Sequence, residues 1–151
     1  NNTYKLIPQN LNNRSYFSLY KKPPGNGLIS WTNRAYDLDR LCRALTFGNF
    51  VNELSLPKFI CNGKAYIPIS ASISSNKSSL IPGTLIDFNE SSLEISTSTE
   101  NFIVNEIISI SGQKISIAAF IKENNLSVGS YLANPSDRLK KEFQESSEQY
   151  S

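Results

Sequence analysis

A chain of 151 residues and 16.9 kDa has room for one domain with one core, which excludes two large domains. Hydrophobic residues make up 39% and charged ones 19%, and no apolar run approaches the ~18 residues of a membrane span, so a water-soluble globular chain is expected. Net charge is +2, from 15 Lys/Arg against 13 Asp/Glu, short of the strongly basic balance of a dedicated nucleic-acid binder.

Residues 1–30 read as a connecting arm. Tyr16, Phe17, Leu19 and Tyr20 form an aromatic cluster that needs a surface to lie on, and Lys21-Lys22-Pro23-Pro24-Gly25-Asn26-Gly27 forbids regular helix and favours an exposed, turning strap. Trp31 precedes the clearest helix, with Thr32 or Asn33 as N-cap, Ala35, Leu38, Leu41, Cys42 and Leu45 on one stripe, and Gly48 as its stop. Asp37 and Asp39 before Arg40 and Arg43 is an order that complements the helix dipole; the sharper alternative makes Arg43 a specific anchor.

After Pro57 the pattern turns to strands. Lys58–Cys61 and Lys64–Ile67 flank Asn62-Gly63, a strong hairpin signal, and further β-rich runs cover Ile69–Ile73, Gly83–Asp87, Leu93–Ser96, Phe102–Ile110 and Gln113–Ser116. Turns are expected at Ser74–Ser79, Ile81–Gly83 and Asn89–Ser92, and many short strands at this spacing point to a small barrel or sandwich. A short helix is expected at Ile117–Glu123, stopping at Asn124-Asn125. From Asn134 the chain turns charged, with Ser136 as an N-cap and Leu139 and Phe143 in helical register, as a solvated tail or linker. The expected division is an arm at 1–30, a barrel at 31–133 and a tail at 134–151.

The chain has no His and no Met, position 1 included. The first absence removes imidazole bases, Ser-His-Asp arrangements and His-ligated metals; the second implies a segment of a longer polypeptide. Cys42 and Cys61 fit no C-x-x-C pattern and read as small core residues, with a disulfide or a reactive thiol as the alternatives. Asn-x-Ser/Thr acceptors begin at Asn1, Asn13, Asn76, Asn89 and Asn125, as chance allows in a chain rich in Asn and Ser, and no signal peptide is visible. The carboxylates show no spacing that selects an acid/base pair or a metal cluster, and Gly25-Asn26-Gly27 is too short for a phosphate loop. No catalytic residue and no metal ligand is assigned. From the residues alone the chain is a mainly β domain with one or two helices and two tethers.

The order of Gln9-Asn10, Tyr16-Phe17, the Pro/Gly turn, Leu28-Ile29-Ser30-Trp31, Ala35, Leu38, Leu41 and Arg43-Ala44 resembles the linker and C-terminal domain of formyltransferases of the methionyl-tRNA formyltransferase type. Ile81-Pro82-Gly83-Thr84-Leu85 is similar to that family's PGT[VIL] segment, and Leu126–Leu132 to its closing L-x-x-G-x-x-L; the resemblance runs from about residue 8 to 132. After Arg43-Ala44-Leu45 the tRNA enzymes continue with a Pro-rich stretch. Here Thr46-Phe47-Gly48-Asn49-Phe50-Val51-Asn52-Glu53-Leu54 comes next, and R-A-L-x-F-G-x-x-x-N-x-L is similar to formyltransferase domains embedded in nonribosomal peptide synthetases.

The resemblance implies an open, OB-like Greek-key barrel that holds an acceptor for a Rossmann-like catalytic domain upstream in the same chain. That domain would carry the Asn, His and Asp and bind 10-formyltetrahydrofolate, so no cofactor is expected in this chain. A carrier-protein-tethered aminoacyl substrate or a neighbouring synthetase domain is the implied partner, ahead of tRNA, in the cytoplasm and away from membranes. By analogy with the basic contacts of the tRNA enzymes, the candidate binding residues are Lys21, Lys22, Arg43, Lys58 and Lys64. A freestanding nucleic-acid-binding barrel and a structural spacer between synthetase modules are the competing readings. For the former, the stacking candidates Phe59, Tyr66, Phe88 and Phe102 are also explained by period-2 core packing.

Overall fold

The computed structural model describes residues 24–46 and 55–148. Six antiparallel strands, β1 (Phe59–Cys61), β2 (Lys64–Lys77), β3 (Leu85–Phe88), β4 (Leu93–Ile95), β5 (Glu100–Ser109) and β6 (Lys114–Ile115), form one sheet in the order β1-β2-β5-β4-β3, with β6 also on β5. Hairpins join β3, β4 and β5, while a long crossing puts β2 beside β5. This is Greek-key connectivity in a curled, open barrel, as the resemblance implies. The helices are α1 (Ala35–Leu45), α2 (Ile117–Glu123) and α3 (Asp137–Glu148).

The Asn-Gly hairpin forms as expected. Asn62 (φ 47°) and Gly63 (φ 76°) both take the left-handed conformation that a two-residue turn requires between twisted strands, and Phe59 pairs with Tyr66. β2 runs without a break through Pro68, where its register with β5 shifts. It also runs through Ser74–Lys77, which local composition marks as a turn. Pairing of Lys77 with Glu100, and a buried Ser74 whose hydroxyl donates to Glu94 at 2.8 Å, override the weak β propensity of Ser and Asn.

Both ends of the open sheet are covered by irregular chain. Along β1, Ile29 N–H donates to Lys58 O (2.7 Å) and Lys58 N–H to Gly27 O (3.0 Å). Along β3, Leu85 N–H donates to Ser130 O and Gly129 N–H to Leu85 O, each at 2.8 Å. Asn134 ties the two covers together: its amide donates to Pro82 O (3.0 Å) and Tyr131 Oη (3.1 Å), and its carbonyl accepts from Thr32 N–H (3.3 Å). Covering the outer strands in this way withdraws unpaired backbone groups that would otherwise recruit other chains.

The core is a connected set of aromatic rings. Trp31 is fully buried between Phe59 and Phe102, with centroids at 5.7 and 6.4 Å, and Phe59 continues through Tyr66 to Phe120 of α2. Tyr66 and Phe120 meet edge-on at 4.8 Å, a geometry that favours the ring quadrupoles. Burial of each such ring contributes about 1.5–3 kcal/mol. Phe59, Tyr66 and Phe102 are therefore core residues and offer no stacking face. Both thiols are free and buried.

Of the expected stripe, α1 buries Ala35, Leu38, Cys42 and Leu45, while its Leu41 is partly buried against the core. Its ends differ from expectation. The N-cap position belongs to Arg34, which contributes no side-chain cap; the Ala35 N–H instead donates 3.0 Å to the Thr99 hydroxyl, a residue 64 positions away in the β4–β5 loop. The helix ends at Leu45, where Thr46 turns extended, and Gly48 lies outside the described residues. Thr99→Val keeps the side-chain shape and removes the acceptor beside a buried N–H. It should cost about 1–2 kcal/mol in urea unfolding, whereas Thr32→Val should cost less than half as much.

α2 starts at Ser116, whose hydroxyl accepts from Ala119 N–H at 3.1 Å, and it ends at Asn124. The Asn124 amide donates 3.0 Å to both the Tyr66 hydroxyl and Phe120 O, which fixes the helix over the barrel end. Ser136 caps α3 as expected, accepting from Leu139 N–H at 3.2 Å. α3 lies against the turn Pro24–Gly27, so the described end of the arm and the C-terminal helix sit side by side.

Candidate functional site

The three described basic candidates occupy three different environments. Arg43 lies on the outer face of α1 and pairs with Asp39 at 2.7 Å, one helical turn back. It borders a shallow hollow of about 260 Å³ between α1 and Ile69–Ala71 of β2. Lys58 is buried just before β1. Its ammonium donates to Asn26 O (2.6 Å), Leu56 O (2.9 Å) and the Ser55 hydroxyl (3.1 Å), so the charge is directed into the protein's own oxygens. Lys64, at the start of β2, faces solvent and meets Glu123 of α2 at 2.5 Å, a contact that raises its pKa and keeps it cationic. Lys21 and Lys22 lie outside the described residues.

Lys64 belongs to a larger feature, an open groove of about 1020 Å³ bounded by the start of β2, the β5–β6 hairpin and α2. Pairing of Tyr66 with Ser109 and of Lys114 with Ile108 places β2 and β6 on opposite sides of β5, so lysines border the groove from two strands. Ser109, Ser111 and Gln113 add neutral hydrogen-bonding groups, while Ala65, Ile115 and Ala119 contribute apolar surface. The sequence pattern alone marks 113–116 only as a short strand. The signal for the groove is Ser111-Gly112-Gln113-Lys114, a polar hairpin tip with a cation, just after the ten-residue strand β5 and Ile110.

The chemistry these groups offer is binding. Burial pushes the Cys42 thiol up to about 12, with Asp39 adding to the rise, and the Cys61 thiol to about 11, so neither is a thiolate at neutral pH. Hydrogen bonds from Asn101, Ser74 and Asn76 hold Glu94 below the usual carboxylate range, as an acceptor with no proton to give. Among the described residues no group of three His, Cys, Asp or Glu side chains could hold a metal ion. Among them, too, no helix is long and apolar enough to cross a membrane.

A search of the curated proteins returns no match. Residues 22–125, which span α1, the whole sheet and α2, match the model of the formyl transferase C-terminal domain. The Greek-key barrel and the capping α2 agree with that match, and the chain belongs to the formyl transferase C-terminal domain family.

Proposed function

We propose that the chain is the non-catalytic, acceptor-positioning domain of a 10-formyltetrahydrofolate-dependent N-formyltransferase within a cytoplasmic nonribosomal peptide synthetase. A catalytic domain upstream in the same polypeptide holds the folate and makes the bond. The barrel contributes by restricting where the acceptor amine can be, which replaces a bimolecular encounter with an oriented one. The arm 1–30 leads from the catalytic domain, and 134–151 leads toward the next synthetase domain. The acceptor is an aminoacyl group tethered to a carrier protein.

The observation that favours a carrier over tRNA is the state of the surface cations. Arg34, Arg43, Lys64, Lys114, Arg138 and Lys141 each meet a carboxylate of the same chain within 2.5–3.7 Å. With a net charge of only +2 and these six described cations each facing a carboxylate, the charge balance is thin for neutralising a phosphate backbone. The R-A-L-x-F-G-x-x-x-N-x-L pattern supports the same setting.

The test is formyl transfer by the full-length enzyme to an aminoacyl carrier protein and to aminoacyl-tRNA, each between 50 and 200 mM salt. Carrier transfer should dominate and lose less than about tenfold in kcat/KM over that range. A clamp on roughly six to ten phosphates would lose about a thousandfold or more. Preferred transfer to tRNA with that steep salt dependence would overturn the carrier reading.

A further inference from the structure

We infer that Asn62 is a covalent modification site, whose side-chain amide is lost spontaneously to the following glycine, and that Asn26, in the same dipeptide, is protected by the fold. Asn-Gly occurs twice in the chain, at 26–27 and at 62–63. With no Cβ to crowd it, a glycine leaves its own nitrogen free to attack the preceding side chain. The two copies share their backbone conformation: Asn26 and Asn62 have φ of 52° and 47°, and Gly27 and Gly63 have 77° and 76°. Local conformation therefore does not separate them, and any difference between them comes from their surroundings.

The Gly63 backbone nitrogen bonds to Asn62 Cγ, the Cγ–Nδ2 bond breaks, and Nδ2 leaves as ammonia with the proton from Gly63 N–H. Water then opens the cyclic imide at either carbonyl, releasing a proton and leaving aspartate or, with the main chain rerouted through Cγ, isoaspartate. Ring closure requires the peptide between the two residues to rotate until its nitrogen faces Cγ. At 26–27 that peptide is clamped: Asn26 O accepts from Lys58 Nζ (2.6 Å) and Ser55 Oγ (2.5 Å), Gly27 O accepts from Lys58 N–H (3.0 Å), and Gly27 is buried. At 62–63 the turn is exposed, a Cβ on Gly63 would meet nothing within 4 Å, and among the described residues no hydrogen bond from outside the hairpin holds the Asn62–Gly63 peptide. The restraint there is the Asn62 side-chain amide donating to Asn124 O at 3.0 Å, and a single neutral hydrogen bond at a hairpin tip opens often.

The product alters the contact that joins the hairpin to α2. An aspartate carboxylate has no proton to give, so at position 62 it sets an anion against Asn124 O at the negative end of α2, and the net charge falls from +2 to +1. Asn124 also holds Tyr66 and Phe120, so losing the contact loosens the end of the helix that bounds the groove. Isoaspartate adds a backbone carbon to a two-residue turn that sets the Phe59–Tyr66 register, and so disturbs the strands as well.

The experiment incubates the 151-residue chain in mildly alkaline buffer, native and in denaturing urea, and follows the tryptic peptides 59–64 and 22–34 by mass spectrometry for amide-to-acid conversion at Asn62 and Asn26. In the native chain Asn62 should convert at least about tenfold faster than Asn26 and yield two isomeric products, whereas in urea the two rates should agree within about threefold. Lys58→Met, which unclamps the Asn26 peptide, should speed conversion at Asn26 at least about fivefold and leave Asn62 unchanged. Asn62→Asp should raise amide exchange at Asn124, whose N–H donates to Phe120 O, at least about fivefold without changing exchange in β3 and β4.

The assignment is overturned by equal rates at the two positions in the native chain, by a faster Asn26, or by a native Asn62 that converts no more quickly than the other asparagines. An Asn26 indifferent to Lys58→Met would show that the clamp on its carbonyl is not what protects it. Unchanged exchange at Asn124 in Asn62→Asp would refute the effect on α2.

Discussion

Gly83→Ala is expected to destabilise the domain by at least ~3 kcal/mol, a large fraction of the stability of a domain this size. Two independent costs meet at this residue. Its φ of +102° lies where an L side chain is strained, and a Cβ there would sit 2.5 Å from Leu132 O, 3.1 Å from the Trp31 ring and 3.2 Å from the Tyr131 ring. The Tyr131 ring is exposed and can swing aside, but Leu132 O and the Trp31 ring cannot retreat. Leu132 N–H donates to Gly83 O at 2.8 Å, Gly83 N–H donates to Ser96 O at 2.9 Å, and Trp31 is at the centre of the core. The close approach is what lets the closing segment seal the β3 edge, so the clash would open the barrel where its last strand-like segment docks. Gly63→Ala separates the two costs: φ there is +76°, but nothing lies within 4 Å of the added carbon, so only backbone strain of about 1–2 kcal/mol applies. Urea unfolding of both variants, monitored by Trp31 fluorescence, measures the difference. Equal costs at the two positions would show that the packing of Leu132 and Trp31 on Gly83 is not what holds the edge.

Gly83 also marks the boundary of what the amino-acid sequence discloses. The Ile81-Pro82-Gly83-Thr84 pattern is visible in it, and so are the α1 stripe, the Asn-Gly hairpin, β5 and the bounds of α2, because each is set by neighbours a few positions away. The hidden features depend on partners far along the chain. The acceptor at the start of α1 comes from Thr99, the continuation of β2 through Ser74–Lys77 depends on Glu94 and Glu100, and the barrel is drawn together by Asn134, which by composition belongs to a tail. The same applies to the candidate site. A basic residue is visible in any sequence, but whether its charge faces water or a cage of carbonyls is decided by loops that fold over it. The groove around Lys64 needs three elements separated by some fifty positions before it exists at all.

Lys58→Met is expected to cost about 2–3 kcal/mol, against less than about 0.5 kcal/mol for Lys64→Met. Methionine keeps most of the aliphatic stem, so the difference reports the ammonium. At Lys58 that group gathers oxygens from Asn26, Ser55 and Leu56, while the Lys58 backbone pairs with both Gly27 and Ile29. One residue thus pins the turn before Trp31 to the start of β1, and removing its charge leaves the Asn26 and Leu56 carbonyl oxygens short of their donor. At Lys64 the charge is shared with Glu123 in water, and its loss should barely move the melting temperature. In the full-length enzyme the two changes should separate cleanly. Lys58→Met should lower activity in proportion to the folded fraction, so that activity returns on cooling and KM for the acceptor is unchanged. Lys64→Met should leave Tm in place and raise KM for the carrier-bound acceptor while kcat holds. If Lys58→Met instead raised KM at a temperature where the variant is fully folded, its ammonium would have to leave the cage and reach the acceptor. The arrangement around Asn26 and Leu56 would then be a resting state rather than a strut.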